Sequence, residues 1–307
     1  MKPSYYIVTS CDNGFAQHTS VMLASLFSHH PNHRFQVFVL APMQFSSENV
    51  SKILGSATDK SSINVVQAPD DALGELKIDG HITSVTYFRL RIEQLLPAKV
   101  KRVLYLDSDI IIRGDISELL DIDLLGFPFG AVPDVLQDKD KRIRAKIGLN
   151  PTARYFNAGV LVIDLPRWRA DRIGGRAIEY CRTSRDSITW WDQCALNHVV
   201  NGQFYILDEK WNAQSDSSKS QLRSAPIIHF TGPFKPWHFR CVHPSKHLYF
   251  EFLKKTAWAD FKVRWTYRDL ILRVIGPEIP RAAVGAGHRT GVWLGRWRRT
   301  ITRLIVS

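Results

Sequence analysis

The four cysteines of this 307-residue chain, Cys11, Cys181, Cys194 and Cys241, form no Cys-x-x-Cys pair and keep no regular spacing. That excludes a disulfide framework or a zinc knuckle as the organising device, and it fits a reducing compartment. No run of about 18 apolar residues occurs, so no segment reads as a membrane-spanning helix. Met1 to Thr9 enter a strand pattern almost at once, without a long apolar signal core or a small-residue cleavage site, so the expected location is cytoplasmic. Low complexity is missing too. With 18 Gly, 15 Pro and 45% hydrophobic residues, the chain can bury one large core domain or a domain with an appendage.

What is abundant is positive charge, and it is unevenly placed. The net charge is +12, but ten Lys/Arg from Lys262 onward face only Asp269 and Glu278, which puts +8 in the last 46 residues and about +4 in the rest. The chain therefore reads as a body, 1–260, and a basic tail, 261–307. In the tail Tyr267, Leu270, Ile271, Val274 and Ile275 recur at helical spacing, as do Trp293, Trp297, Ile301, Leu304 and Ile305, with Arg296, Arg299 and Arg303 across from the second stripe. A Trp-bearing apolar face opposite an Arg face is the pattern of a helix lying in an anionic membrane interface. The alternative is a helix packed on the body with its arginines in water. No recognised nucleic-acid module accompanies the charge, so nucleic acid is not the expected partner.

The densest chemistry in the body lies in residues 103–112. Large apolar residues run from Val103 to Ile112, interrupted by Asp107 and Asp109. Such a run reads as a buried strand, and lone buried carboxylates cost several kcal/mol. In extended chain, residues two apart share a side, so the pair could clamp one divalent cation. The alternative is a strand ending in a polar turn whose acids cap the next segment.

Around it, strand and helix patterns alternate. Residues 5–9, 35–40 and 63–66 read as strands, with helical patterns at 15–26 and 45–55 between them. This order points to an α/β fold with a mostly parallel sheet covered by helices on both faces. Ligands bind such sheets at the carboxyl ends of the strands, where Asp12, Asp107 and Asp109 would lie. Residues 83–96 read as a helix ending before Pro97, on which Arg89 and Arg91 cannot both be buried. The charged stretch 137–154 reads as an exposed loop or loose helix, a candidate lid. Residues 155–164 form a further interior strand whose entrance, Asn157-Ala158-Gly159, admits close approach of backbone or ligand. Asp192 and Gln193 open a helix. His229 ends a strand, Gly232 turns the chain, and Lys235 follows in a segment stiffened by Pro233 and Pro236. A neutral imidazole suits a divalent metal and a Lys suits phosphate oxygens.

These blocks together resemble the retaining glycosyltransferases of family 8, whose bacterial members include lipopolysaccharide galactosyl- and glucosyltransferases. The matching stretches are Asp12-Asn13, Thr86 to Leu90, Leu104 to Asp109, Phe156 to Val160 with Trp168-Arg169, Asp192-Gln193 with Leu196-Asn197, Lys210 to Asn212, and His229 to Trp237. They fall in family order from residue 5 to about 240. The resemblance implies a type A glycosyltransferase fold, a UDP-hexose donor (galactose or glucose), a saccharide or glycolipid acceptor, and Mn²⁺, with Mg²⁺ as the alternative. It implies that Asp107, Asp109 and His229 hold the metal. Thr9, Asn13, Arg89 and Asp107 would lie near the uridine and donor sugar, and Gly232 and Lys235 on the diphosphate. Asn157, Ala158, Asp192 and Gln193 would line the sugar and the reaction centre. Cys11 and Cys194 depart from the acids that relatives often carry there. Because lipopolysaccharide-building relatives carry basic, aromatic C-terminal segments, the resemblance also implies a peripheral place on the inner face of the cytoplasmic membrane. Two other readings remain: a nucleotidyl- or sugar-phosphate-handling enzyme, which does not call for the late His229 to Lys235 block, and a non-catalytic sugar-nucleotide-binding or scaffold protein at the membrane.

Overall fold

The computed structural model describes residues 4–69, 73, 76 and 83–265. Strands β1 (Ser4–Ser10), β2 (Arg34–Pro42) and β3 (Ser61–Ala68) are joined by helices α1 (Ala16–His29) and α2 (Ser47–Leu54). A 3₁₀ segment, Ser84–Arg91, runs into α3 (Ile92–Leu95), then β4 (Arg102–Leu106), β5 (Ile110–Ile112) and α4 (Ser117–Asp121). Next come β6 (Phe129–Pro133), α5 (Lys141–Lys146), β7 (Phe156–Asp164), α6 (Leu165–Ala170), α7 (Ile173–Thr183) and α8 (Trp191–Val200). The described elements end with β8 (Tyr205–Ile206), β9 (Ala213–Gln214), α9 (Lys219–Ser224), β10 (Ile227–His229) and α10 (Lys246–Leu253).

Seven strands form the main sheet in the order β3-β2-β1-β4-β7-β6-β8, all in one direction except β7. Alternate residues of its strands serve two cores. Val8, Leu40, Tyr105 and Leu161 face a cluster built with the 3₁₀ segment, α7 and α8. Ile7, Val39, Leu104 and Val160 face one built with α1, α2 and α4. Both faces are dry, which is why these strands read as continuous apolar runs rather than as alternating ones. Helix α7 lies so close to the 3₁₀ segment that a Cβ on Gly174 would sit 1.9 Å from the carbonyl oxygen of Leu90. This contact presses the stretch carrying Arg89 against the sheet.

The acidic run departs from its expected form. Residues 103–112 are not one strand: β4 ends at Leu106, and β5 belongs to a second, three-stranded sheet, β5-β10-β9. Asp107 and Asp109 therefore lie in the connection between two sheets, and their common orientation comes from that turn rather than from strand alternation. The helix expected over 83–96 is mostly 3₁₀, with a single α turn at its end. The candidate lid is tied down as well. The Asp138 carboxylate pairs with Arg144 and Arg154 at 3.1 and 2.6 Å, and it accepts the Tyr155 N–H at the entrance to β7.

The chain divides into two units, one of residues 1–237 and 241–262, the other of 238–240 and 263–307. In the second, the rings of Phe239 and Trp265 stack at 5.5 Å. The helical stripes expected beyond residue 265 lie outside the described residues. Among those described, no helix is long and apolar enough to cross a membrane.

Candidate active site

Strand direction gathers the site. β1, β4 and β6 point their carboxyl ends to one edge of the main sheet, and antiparallel β7 brings its beginning to the same edge. Asp12 and Asn13 after β1, Asp107 after β4, Asp134 after β6, and Asn157-Ala158-Gly159 at the start of β7 thus converge. The antiparallel pairing of β5 with β10 brings in the imidazole, since it sets His229 opposite Ile110. The Phe230 N–H then donates to the carbonyl of Asp109 at 3.0 Å.

Asp107, Asp109 and His229 each turn one ligand atom to a common point, all within 4.8 Å of one another. The His229 Nε2 lies 3.2 Å from an Asp109 oxygen and 3.7 Å from one of Asp107. A small residue is required beside them: a Cβ on Gly159 would fall 2.2 Å from His229 Cε1 and 2.8 Å from Asp107 Oδ2. Two carboxylates and one imidazole that bring their donor atoms this close fit a hard divalent cation such as Mn²⁺ or Mg²⁺.

The flanking charges are buried and paired. Arg89 donates through Nη2 to Asp107 Oδ1 at 2.8 Å, through Nε to the Thr86 carbonyl at 3.3 Å and through Nη1 to the Ala158 carbonyl, and its Nε forms an ion pair with Asp192 Oδ2 at 2.8 Å. Its guanidinium lies 4.7 Å from the centroid of the Tyr105 ring. Burial disfavours the Arg89 charge, but Asp107 and Asp192 outweigh it, so the guanidinium holds its proton more firmly than usual. Arg91 is the arginine left outside, bonded to the Pro69 carbonyl. Burial pushes the Asp192 carboxyl up despite Arg89 and the Thr86 hydroxyl that donates to it. Asp109 goes the other way: burial raises it, but Lys235 and His229 outweigh burial and hold its carboxyl below the usual range. Lys235 donates to Asp109 Oδ2 and to the Phe230 carbonyl.

On the far side of the cradle, Gln193 accepts the Ala158 N–H at 3.0 Å and donates to Asp134 at 3.2 Å. Asp134 was given no role by the sequence, although it stands at a strand end like Asp107. Its second oxygen accepts the N–H groups of Leu136 and Gln137. Thr9 is fully buried and meets Ser108, which links the first strand to the acidic turn. Asn13 lies farther out and spends its side chain on the Gln44 carbonyl, the Ser46 N–H and Asn49. Gly232 sits in a left-handed turn at φ 83°, exposed at the rim. The two departures are inward-facing thiols. Burial pushes Cys11 up to about 12. Cys194 accepts the Trp190 N–H at 3.2 Å and meets the Tyr155 hydroxyl at 3.3 Å.

A fold with this edge has known counterparts. The profile of glycosyl transferase family 8 matches residues 6–241. General stress protein A of Bacillus subtilis is 28% identical over 273 residues, 82% of this chain and 94% of that protein. The lipopolysaccharide 1,3-galactosyltransferase of Salmonella typhimurium is 29% identical over 269 residues, 83% of this chain and 79% of that one. The crystal structure of galactosyltransferase LgtC in complex with donor and acceptor sugar analogs superposes with a TM-score of 0.74 at 25% identity, covering 82% of this chain and 96% of that one. The match of the family profile to most of the chain, on the same fold, makes this protein a member of glycosyl transferase family 8 and a retaining glycosyltransferase.

Proposed function

We propose that the protein moves a hexose, galactose or glucose, from a UDP-sugar to a saccharide or glycolipid acceptor in the assembly of lipopolysaccharide or a related surface glycan, with Mn²⁺ held by Asp107, Asp109 and His229. The observation that carries this reading is the convergence of those three side chains at the ligand edge of a family 8 fold. Charge supports it. Asp107, Asp109 and Asp192 outnumber Arg89 and Lys235 by one among these partly or fully buried groups, and excess negative charge drawn out of water is costly without a cation.

When bound, the divalent ion supplies positive charge to the diphosphate as its bond to the sugar breaks. The chain's own residues do the rest. Lys235 stands beside Asp109 to meet phosphate oxygens, and Arg89 holds Asp107 and Asp192 in fixed orientation, a charge arrangement built before the reaction begins. Asn157, Ala158 and Gln193 form the shelf for the sugar. Retention is read as attack from the departing face, with the leaving phosphate accepting the acceptor's proton. Three consecutive side chains support that choice. Asp192 is committed to Arg89 and Thr86, the Gln193 amide is a poor nucleophile bonded at both ends, and Cys194 is turned into the interior.

UDP release from UDP-galactose and UDP-glucose, with Mn²⁺ and with chelator, tests the reading. Release with Mn²⁺ that chelator abolishes is expected, while intact mass during turnover stays that of the free chain. Donor binding without turnover would favour the scaffold reading, and a hexose adduct on Asp192 or Gln193 would overturn same-face attack.

The tail, outside the described residues after 265, is read as the contact with an anionic membrane surface, on the inner face of the cytoplasmic membrane; its charge and Trp spacing support this. In the full chain, changing Arg296, Arg299 and Arg303 to Glu is expected to cut co-sedimentation with phosphatidylglycerol liposomes severalfold. Equal sedimentation of the two forms would end the membrane assignment.

A further inference from the structure

We infer that Asn212 is a positioning residue for His229: it dictates which imidazole nitrogen carries the proton and so turns the other's lone pair toward the metal position. The inference rests on the metal reading above.

The direction of each hydrogen bond in this part of the site follows from two groups whose roles are fixed. The Gly159 N–H can only donate, and it points at one amide terminus of Asn157 at 3.0 Å, so that terminus is the oxygen. The opposite terminus meets Asp134 Oδ2 at 3.2 Å, and a carboxylate accepts, so that terminus is the NH₂. Both ends of Asn157 agree. Asn212 approaches the same Asn157 oxygen at 2.9 Å and must therefore present its own NH₂ there. Its carbonyl oxygen is left facing His229 Nδ1 at 3.0 Å, and that nitrogen must be the N–H. In the neutral ring that binds a metal, Nε2 is then the lone-pair nitrogen, and it is the atom lying 3.2 and 3.7 Å from the Asp109 and Asp107 carboxylates. Three electron-rich atoms facing one another is an arrangement that a cation relieves.

The fold makes Asn212 hard to displace. It ends the 3₁₀ turn Glu209–Asn212 that leads straight into β9, and β9 pairs in parallel with β10, which carries His229. Asn212 is 1% exposed and Asn157 is 6% exposed, so bulk solvent does not reach either amide. An imidazole that ligates a metal through one nitrogen commonly donates its other N–H to such a partner, and losing the partner costs about 10–100-fold in metal affinity.

Two variants in the full chain separate positioning from packing. Asn212→Leu removes both bonds. Asn212→Asp keeps an oxygen for the His229 N–H but cannot donate to Asn157. Mn²⁺ binding measured by electron paramagnetic resonance, alongside melting temperature, is the readout. Asn212→Leu should bind Mn²⁺ about 10–100-fold more weakly, with kcat recovering as Mn²⁺ is raised, and Asn212→Asp should regain most of the affinity. Wild-type affinity in Asn212→Leu, or an Asn212→Asp variant that melts normally yet binds as weakly as the Leu variant, would overturn the role of Asn212 alone. A wild-type chain that binds no Mn²⁺ would sink the metal reading and this inference together.

Discussion

Changing Asp109 to Ala is expected to lower sugar transfer at least about a hundredfold, the loss that follows removal of one major preorganised electrostatic element. Asp109 has two tasks. One oxygen faces His229 Nε2 at the metal position, and the other holds the Lys235 ammonium. The Ala variant loses both, and breaking a buried ion pair by removing one member itself costs about 3–5 kcal/mol of stability. Asp109→Asn separates the effects: the shape and one acceptor for Lys235 remain, while the charge that binds the cation is gone. The Asn variant should therefore melt between the Ala variant and the wild type, since it keeps an acceptor but not the counter-charge, and still transfer poorly at saturating donor. Steady-state rates with Mn²⁺ present, read beside melting curves for both variants, make the check. Full activity of Asp109→Ala after chelator treatment would refute a metal role for this residue.

Gly159→Ala should be nearly as damaging, for a steric reason. The added methyl would lie 2.2 and 2.7 Å from Cε1 and Nδ1 of His229 and 2.8 Å from Asp107 Oδ2. Strand β7 cannot retreat to make room, because it is paired on both sides, with β4 and with β6. The Gly159 carbonyl also accepts the Asp107 N–H at 2.9 Å. The imidazole must move instead, off Asn212 and away from the two carboxylates. Overpacking of this kind costs about 1–3 kcal/mol, so the melting temperature should fall by several degrees. Mn²⁺ titration should show affinity reduced by about an order of magnitude or more, since a ligand and its orienting partner are disturbed together. An Ala variant with unchanged Mn²⁺ affinity would mean that His229 does not ligate from this position.

Much of the fold was readable in advance because hydrophobic pattern is a local property. The apolar runs at 35–40 and 156–164 are buried on both sides, and they look it. The misreading of residues 103–112 has an equally physical source. Ile110, Ile111 and Ile112 are as apolar as Val103 to Leu106, and nothing in their composition records that they leave one sheet for another. Asp134 was given no role, and Asn212 entered only as the end of the Lys210 to Asn212 stretch, for a related reason. Each is an ordinary polar residue beside a strand, and its importance comes from partners 23 and 55 positions away at Asn157. Arg89 and Arg91 could be told apart only once the 3₁₀ segment had taken its place against the sheet, with Arg89 between Asp107 and Asp192.

By itself, then, the amino-acid order determined a two-faced α/β core, acidic and amide side chains at the strand ends, and a strongly basic segment set off from a mildly basic body. These depend on burial and charge along short stretches. The tertiary structure decided which of those side chains meet. The reversed direction of β7 and the register of β5 against β10 bring Asp107, Asp109, Asn157, Asn212 and His229 to one place. Strand order and register are set by packing between segments a hundred residues apart, and no short stretch carries that information.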